Sequence, residues 1–451
     1  MTTTLPVFRT AGQKPVKPMK TTSVDRLRKP SAGWAGVLLL SLVSHSAAQS
    51  WWEGDHALGD WNGLRPELEE KGFTLTGSYE GNVAGNLSGG YGRGWAYADN
   101  WDLAFHFDLE KLAGWRGASF LINGVDRNGA NLSGNEVGNF YTIQQVFGGN
   151  TFFLYGLSLE QKFWDDKASL KVGRFAMNEI FASTPVYWLY MNNGFDGSPK
   201  SLFSTGAFTA YPGTSWAARL ELKPTDEFRY LLGIFQVSDR TYTPSKHGMN
   251  MDIRGEDGVT VVSQWQWNPE FFKQPLSSGA KGTEMKGLPG HYWLGAYVSD
   301  WDFAKWNGSG SRTVDYGIYL HGDQMVWQES PGSDEGLSLW AAWVYQPNED
   351  VQTLPWQVSG GAFYKGLLPN RPDDRLIFGA IHGWFSDDYA RSVSATGGGS
   401  PLSESILELG YRIELTEFAY AMPEFQYIVR PGGTGDLEDA FVWGLRVGVT
   451  F

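Results

Sequence analysis

The sequence ends in Phe441-Val-Trp-Gly-Leu-Arg-Val-Gly-Val-Thr-Phe451, where apolar residues alternate with small or polar ones up to the last position. Successive side chains of a β-strand point to opposite faces, so this period of two predicts a strand with two different faces. The apolar face carries Phe441, Trp443, Leu445, Val447, Val449 and Phe451. The opposite face carries Val442, Gly444, Arg446, Gly448 and Thr450. Such a strand fits a soluble core with water outside it, or a barrel with lipid outside and water inside.

Similar alternation recurs along the chain in short segments that are separated by clusters of glycine, asparagine, aspartate, serine and proline. Five clear segments begin at Phe73, Trp101, Ser215, Val314 and Leu407. No change of composition marks a domain boundary, although a soluble sandwich of this length is expected to split into domains. One closed barrel accommodates such a chain without a buried apolar core, and roughly 10 residues per strand leave room for about 14 to 18 strands.

The composition also favours a membrane barrel. The chain has 57 glycines and 15% aromatic residues, which suit many turns and aromatic girdles at the membrane interfaces. No apolar run after the first 48 residues approaches the roughly 20 residues that a membrane-spanning helix needs. Because only helices and closed barrels satisfy their backbone groups in lipid, we predict an all-β fold, a single transmembrane antiparallel β-barrel over residues 73–451.

The first 48 residues have the organisation of an export signal. Basic residues precede the short apolar run Ala35–Val43, and the small residues Ser46–Ala48 suit a cleavage site. We therefore predict that residues 1–48 are a signal peptide that is removed, with Met19 as an alternative start. The remaining chain has 29 basic and 48 acidic residues, a balance that disfavours nucleic-acid binding. The absence of cysteine excludes disulfides and metal sites built on thiolates.

Residues 49–72 form an N-terminal segment that does not alternate. Pro66 lies near a helix start, acidic residues follow it, and Gly72 suits a helix end. The segment therefore predicts a short helix from about Leu64 to Lys71 that leads into the first strand. We expect this helix either at the barrel mouth or as a cap on the periplasmic side.

Three long stretches without alternation are predicted loops, namely Ser183–Gly213, Ser238–Gly258 and Pro269–Gly290. Large barrels leave a water-filled lumen, and a long loop that folds inward narrows it. Ser183–Gly213 is rich in tyrosine, tryptophan, asparagine and glycine, and we predict that it forms this constriction.

Charged residues of both signs share the parity that faces the lumen. One interpretation is that they only line water and pair across strands. The other is a pore eyelet in which arginine and carboxylates bind sugar hydroxyls, because the planar guanidinium offers five donors. Such binding must be weak and divided over several sites, since a tightly bound solute would not leave. The candidate lining residues are Asp102, His106, Arg219, Glu221, Glu408, Arg412, Glu414, Glu424, Arg430 and Arg446.

Arg174 does not fit the alternation of its own segment. Leu170 and Val172 share its parity, so a regular strand would point Arg174 at lipid, which costs roughly 2–4 kcal/mol at the membrane midplane. We predict that Gly173 marks a bulge that turns Arg174 inward, where it joins the candidate lining.

Other functional chemistry leaves little trace in the sequence. The histidines are scattered, no metal-ligand pair has helical spacing, and no nucleophile elbow or phosphate-binding loop is present. No cofactor is expected. Carboxylates are abundant, so a pair of glycosidase type is not excluded by inspection. The tryptophan pairs Trp51/Trp52, Trp265/Trp267 and Trp340/Trp343 are predicted to be girdle or loop residues.

Several motifs together resemble the carbohydrate-selective porin family (OprB type). They are Gly59–Arg65, Val172–Phe175, Pro423–Ile428, Pro431–Gly433 and Gly444–Arg446. The resemblance covers essentially the whole chain from Trp52 onward, and the order of the motifs makes it fairly specific.

The resemblance implies a sixteen-stranded barrel of the bacterial outer membrane, in contact with its lipid, that passes glucose and other mono- and oligosaccharides by facilitated diffusion. It also implies a homotrimer and an arginine-rich pore lining, which we carry onto Arg174, Arg412 and Arg446. Family members usually have aspartate where this chain has Glu424, a change that keeps the carboxylate. Two alternatives stay open: a general or organic-acid-selective porin of the same fold, and a secreted glycan-binding or glycan-hydrolysing β protein.

Overall fold

The structure is a computed structural model that describes residue 52 and the ranges 54–275 and 285–451. The predicted signal peptide, residues 1–48, lies outside the described residues, as do residues 49–51 and 53. No helix in the described ranges is long and apolar enough to cross a membrane.

Seventeen β-strands and three short α-helices are present in the described ranges. The strands are β1 (Phe73–Ser88), β2 (Gly94–Asp108), β3 (Ala118–Gly129), β4 (Thr151–Phe163), β5 (Ala168–Phe175), β6 (Ser215–Leu222), β7 (Phe228–Val237), β8 (Gly258–Trp267), β9 (Glu270–Pro275), β10 (Met285–Ala304), β11 (Ser311–Gln328), β12 (Gly336–Tyr345), β13 (Trp356–Lys365), β14 (Arg375–Trp384), β15 (Ser403–Thr416), β16 (Ala419–Val429) and β17 (Ala440–Thr450). The helices are α1 (Leu64–Glu70), α2 (Leu109–Ala113) and α3 (Asp387–Ala395).

The strands form one closed antiparallel sheet. β17 pairs with β1 in a register that runs from Ser78 opposite Thr450 to Asn86 opposite Val442 and then shifts before Ser88, and this seam closes the barrel. β9 pairs only with the start of β10, whereas β8 pairs with the rest of β10. The wall therefore has sixteen strands with one extra strand attached to it. The predicted all-β barrel of about sixteen strands is confirmed.

The connections at the two ends of the barrel differ in length. At the end that contains α1 and Phe451, residues 417–418 join β15 to β16 and residues 109–117 join β2 to β3. At the other end, the joining segments include residues 130–150, 176–214 and 238–257. We call these the short-turn end and the long-loop end. In outer-membrane barrels, short turns face the periplasm and long loops face outward.

The alternation in the last strand corresponds to two faces of the wall. Phe441 on the outer face is exposed, whereas Val442 and Arg446 on the inner face are buried. Phe451 follows the strand, its N–H donates to the Gly77 carbonyl at 2.8 Å, and its ring stacks on that of Trp101 at 5.8 Å. The outer face of β17 is therefore the apolar one, as the sequence predicts.

The predicted short helix is α1, and it lies at the short-turn end beside the closing seam. Arg65 of this helix is buried over the Trp61 ring and donates to the carbonyls of Gly59 and Leu75 at 3.2 and 3.3 Å. The Ala57 N–H donates to the Thr450 carbonyl at 3.0 Å. The segment before β1 is therefore attached to both strands of the seam.

We predict that charge on the outer face of β17 is tolerated only near the end of the strand. Leu445→Arg places a guanidinium in the lipid near the middle of β17 and is expected to destabilise the barrel by about 2–4 kcal/mol, whereas Val449→Arg, on the same face near the strand end, should cost about 0–1 kcal/mol. Denaturant unfolding in lipid vesicles measures both values. Equal losses for the two variants would contradict the assigned depth of the outer face.

Candidate functional site

The lumen of the barrel contains two long connections, which we call the inner loop (residues 176–214) and the second inner loop (residues 130–150). The inner loop begins where β5 ends and returns to the wall at β6. Side chains that point inward from distant strands hold its backbone. These contacts determine which inward side chains hold the loops and which remain accessible from the lumen.

Glu408 on β15 binds the middle of the inner loop. The N–H groups of Met191 and Asn192 donate to Oε1 and Oε2 of this carboxylate at 2.7 and 3.1 Å. Arg446 on β17 donates through Nη1 to the Tyr190 carbonyl at 2.8 Å. A buried carboxylate is stable when hydrogen bonds replace its lost hydration, so Glu408, which is fully buried, acts as an anchor of the loop.

Aromatic side chains hold the same part of the inner loop against β12 and β14. The Tyr190 ring stacks on Phe195 at 4.4 Å, and its hydroxyl accepts from Nε1 of Trp340 at 2.8 Å and donates to the Phe378 carbonyl at 2.9 Å. Trp340 is therefore an inward, buried residue on β12, and its prediction as a girdle or loop residue is wrong. Its partner in sequence, Trp343, does lie on the outer face.

The remaining anchors of the inner loop are spread around the barrel. The Ala182 N–H donates to Gln264 on β8 at 2.9 Å, and the Ser201 N–H donates to Gln357 on β13 at 3.0 Å. Contacts on strands this far apart require that the loop crosses the lumen. The prediction that Ser183–Gly213 folds inward is confirmed.

The second inner loop was not predicted from the sequence. The N–H groups of Phe140 and Tyr141 donate to the Glu404 carboxylate at 2.8–3.0 Å. The two loops also pair with each other, because the Gln145 N–H donates to the Met191 carbonyl at 3.0 Å. A signal was available: five of the ten residues 137–146 are large and apolar without strand alternation, which is unusual for a loop in water.

Beside the inner loop, a group of charged residues lines the part of the lumen next to β1, β3 and β17. Glu80 on β1 accepts from Nη2 of Arg446 at 2.7 Å. Arg127 on β3 donates to the carbonyls of Val146 and Phe147, both at 2.8 Å. Asp196 of the inner loop is partly exposed and lies within Coulombic range of Arg446, Glu80 and Arg127. We call Glu80, Arg127, Asp196 and Arg446 the eyelet.

Four of the predicted lining residues lie on the inner faces of β2 and β6. Asp102 accepts from Nδ2 of Asn123 at 3.2 Å, and His106 is exposed nearer the short-turn end. Arg219 forms ion pairs with Glu160 at 2.9 Å and with Glu221 at 3.0 Å. These residues follow the wall on the short-turn side of the loop.

Two others lie on β15 and β16, and a third follows β16. Arg412 forms an ion pair with Glu414 at 2.5 Å and lies 3.5 Å above the Tyr420 ring. Glu424 is fully buried and accepts from Nε2 of Gln426 at 3.2 Å. Arg430 follows the end of β16 in a long-loop connection, so strand parity does not place its side chain in the lumen as predicted.

The prediction of an inward Arg174 is wrong. Lys171 and Phe175 share the inner face, since the Lys171 ammonium lies 4.7 Å from the Phe175 ring, and Phe175 packs against the inward Phe235. Arg174 pairs with Leu157 and Trp216 on the outer face. Gly173 has a φ of 142° but does not shift the alternation, and the guanidinium avoids lipid because a loop covers it.

Comparison with known proteins gives consistent results. The model of the family "Carbohydrate-selective porin, OprB family" matches residues 92–451. The chain belongs to this family. It is 29% identical to Porin B of Pseudomonas aeruginosa, over 92% of this chain and 96% of that protein. It is 27% identical to the putative porin QuiX of Acinetobacter baylyi, over 90% of this chain and 95% of that protein.

Among solved structures, the high-pH structure of Pseudomonas putida OprB is similar with a TM-score of 0.82 and 28% identity, covering 90% of this chain and all of that chain. The protein is therefore an outer-membrane β-barrel porin for sugars, and the fold and family indicate a channel rather than an enzyme. The long-loop end is extracellular and the short-turn end is periplasmic. Within the described residues, no group of three or more His, Cys, Asp or Glu is arranged to hold a metal ion.

We predict that Glu408 keeps the inner loop in place. Glu408→Ala leaves two buried N–H groups without acceptors, at a cost of about 1–3 kcal/mol each, so the loop should detach locally and the single-channel conductance should rise and fluctuate. Glu408→Gln keeps one acceptor oxygen and should give an intermediate effect. Leu407→Ala, on the outer face of the same strand, is the control. A wild-type conductance in Glu408→Ala would show that this carboxylate does not hold the loop.

Proposed function

We propose that mono- and oligosaccharides cross the barrel by facilitated diffusion through the eyelet, between the two inner loops and the wall formed by β1, β3 and β17. The supporting observation is the partly exposed Asp196 of the inner loop, which lies within Coulombic range of Arg446, Glu80 and Arg127. Hydrogen-bond donors on positive groups and acceptors on negative groups are therefore concentrated where the loops narrow the lumen. Sugar hydroxyls, which both donate and accept, suit such a lining.

The lining residues have different roles in this proposal. Glu80 and Asp196, which are partly exposed, touch the solute, and Glu80 keeps protein partners because it accepts from Arg446 and Tyr420. Arg446, of which only 4% is exposed, acts through the Glu80 carboxylate and the Tyr190 carbonyl. Partners of this kind keep the solute contacts weak, as passage requires. Glu408 and Glu424 are fully buried and act by positioning the loop and its neighbours. Arg174 has no place in the lining.

The predicted residues outside the eyelet form the approach from the periplasmic side. Asp102, His106 and the Arg219–Glu221 pair follow one wall, and Arg412 follows the other. The guanidinium of Arg412 lies 3.5 Å from the centre of the Tyr420 ring, which limits its movement. We propose that these groups bind sugars transiently before and after the eyelet.

The balanced charge of the eyelet favours neutral solutes. The chain after residue 48 carries more acidic than basic residues, which disfavours anions, whereas in the eyelet Asp196 and Glu80 balance the two arginines. A local charge acts on a solute more strongly than the total does. We therefore prefer a sugar channel to the alternative of an organic-acid-selective porin.

We further propose that the functional unit is a homotrimer in outer-membrane lipid, that residues 1–48 are removed on export, and that the protein catalyses no covalent reaction. The resemblance to the porin family supports the trimer. The basic and apolar organisation of the first 48 residues supports the cleavage. Cross-linking of the purified mature protein and mass determination of its N-terminus test these points.

We predict that sugars block the ion current. The purified protein in planar bilayers should form open channels whose current falls when glucose or maltose is added at millimolar concentration, because a bound sugar obstructs the eyelet. An unchanged current would contradict sugar selectivity while leaving the barrel intact. Liposome swelling with neutral and anionic solutes of equal size separates the sugar porin from the organic-acid porin, since an organic-acid porin would admit the anion faster.

We predict that Arg446→Ala and Arg412→Ala weaken the sugar block while the barrel still assembles. Arg412→Ala removes donors from the lining, and Arg446→Ala releases the Glu80 carboxylate from its position. The loss of one hydrogen bond of about 0.5–1.5 kcal/mol corresponds to a block about two- to tenfold weaker. Asp196→Asn should lower the preference for cations, and Asp226→Asn, in an exposed periplasmic turn, is its control. Wild-type block in both arginine variants would show that the path lies elsewhere.

A further inference from the structure

The barrel wall has a gap above β5, because the chain leaves the wall there to enter the inner loop. β4 pairs with β5 only as far as Leu157 opposite Arg174, and β6 pairs with β5 only as far as Ser215 opposite Phe175. β4 nevertheless continues toward the extracellular side to Thr151 and still pairs with β3 there. Residues 151–156 therefore have one edge without a neighbouring strand. An open sheet edge is costly at membrane depth, where no water satisfies it.

Part of the loop between β7 and β8 covers this gap. We call residues 246–252 the wall patch. The Leu154 N–H donates to the His247 carbonyl at 2.9 Å, and the His247 ring bonds to Oγ1 of Thr151 at 2.8 Å. On the other side, Nε1 of Trp216 donates to the Met251 carbonyl at 3.0 Å. The wall patch thus bridges β4 and β6 in place of the missing strand.

Arg174 lies at the base of the wall patch and joins it to the wall. Its Nη1 donates to the Asn250 carbonyl and contacts Sδ of Met251 at 3.3 Å, and its Nη2 donates to the Thr214 carbonyl at 2.9 Å. Thr214 is the last residue of the inner loop before β6. One guanidinium therefore binds both the wall patch and the returning end of the inner loop. Only 4% of its surface is exposed, so no solute reaches it.

The residues on either side of Arg174 keep its side chain on the outer face while the chain turns into the lumen. A Cβ on Gly173 would lie 2.2 Å from the Leu157 carbonyl oxygen, so only glycine allows the close approach of β4. Phe175, the next residue, packs its ring against Phe235 at 5.4 Å inside the barrel. Arg174 is thus held outside while the chain that follows it enters the lumen.

The far end of the wall patch is also fixed. Nε2 of Gln236 donates to the Asp252 carbonyl at 3.0 Å and to Asp257 at 2.6 Å, and Arg240 donates to Asp257 at 2.5 Å. Burial acts to raise the pKa of Asp257, but hydrogen bonds from the Arg254 N–H, Gln236 and Arg240 hold this pKa below its ordinary value. The carboxylate is therefore charged and paired, and the wall patch is anchored on both sides of the gap.

We propose that Arg174 is a positioning residue of the channel: it clamps the wall patch over the gap above β5 and fixes the returning end of the inner loop. The inner loop then keeps the eyelet in its narrow, sugar-selective shape without any contact between Arg174 and the solute. The inference rests on the proposed eyelet only for its effect on sugar block. The clamp itself rests on the hydrogen bonds of the guanidinium.

Arg174→Ala tests the clamp. Loss of buried hydrogen bonds to a charged group, about 1.5–3 kcal/mol each, should raise the population of states with a released patch at least about tenfold. The single-channel current should become noisy and the glucose block weaker. The variant should still migrate in detergent gels as the folded wild-type barrel does. Arg174→Lys keeps the charge but lacks the planar fork, and it should restore only part of the block. A quiet, wild-type current in Arg174→Ala would overturn the proposal.

A cross-link distinguishes positioning from direct solute contact. The chain has no cysteine, so Thr151→Cys with His247→Cys offers one defined pair that a short bifunctional thiol reagent can join. Cross-linking should restore quiet current and sugar block in the Arg174→Ala background, because it holds the wall patch without the guanidinium. If the cross-link forms and nothing is restored, Arg174 does not act through the wall patch and the proposal is wrong.

A milder variant serves if Arg174→Ala fails to assemble. Trp216→Phe keeps an aromatic ring and removes only the donor to Met251, so it should raise the current noise in the same direction. Trp265→Phe, on the exposed outer face of β8, is its matched control. Noise in Trp216→Phe alone supports the clamp, and equal behaviour of the two variants contradicts it. Normal sugar block in the Arg446 and Asp196 variants would contradict the proposed eyelet. It would not contradict the clamp, because the effect of Arg174 on current noise is measured without sugar.

Discussion

The structure depends on the need of every backbone N–H and C=O group at membrane depth for a partner within the protein. Closure of β17 on β1 meets this need for the wall as a whole. The same need reappears locally at β5, where the chain leaves the sheet to build the inner loop and exposes an edge of β4. A segment of another loop, fixed by Arg174, takes the place of the absent strand. A chain segment that leaves the wall to narrow the pore thus opens a gap, and another loop segment must cover that gap.

Inside the barrel, buried carboxylates accept hydrogen bonds from the backbone of the loops, as neighbouring strands do within the wall. Glu404 and Glu408 each accept backbone N–H groups from a loop that has no strand to pair with. Arg446 complements them by donating to a loop carbonyl. Charges that would be costly if they were buried alone are compensated by several hydrogen bonds. The polar inner face therefore has two uses, since part of it holds the loops and the rest lines the path.

The barrel could be predicted from the sequence because strand alternation reports directly which face a residue occupies. Outer residues such as Leu445 and inner ones such as Arg446 followed from parity alone. Parity does not report what fills the interior, so Glu408 and Arg412 seemed equivalent on β15 although one is buried under the inner loop and the other is not. Trp340 was misassigned for the same reason. The second inner loop was missed because its anchor, Glu404, lies more than 250 residues away in the sequence.

Arg174 shows the limit of arguing from the cost of charge in lipid alone. Parity placed it outside, and the cost of exposure favoured an inward turn at Gly173. The structure meets that cost in another way, by covering the guanidinium with a loop whose carbonyl groups need donors. The four residues 172–175 have different roles. Val172 contacts lipid and Gly173 allows the close approach of β4. Arg174 closes the wall, and Phe175 directs the chain into the lumen. A short motif in a barrel wall can therefore control the pore from the side that faces away from it.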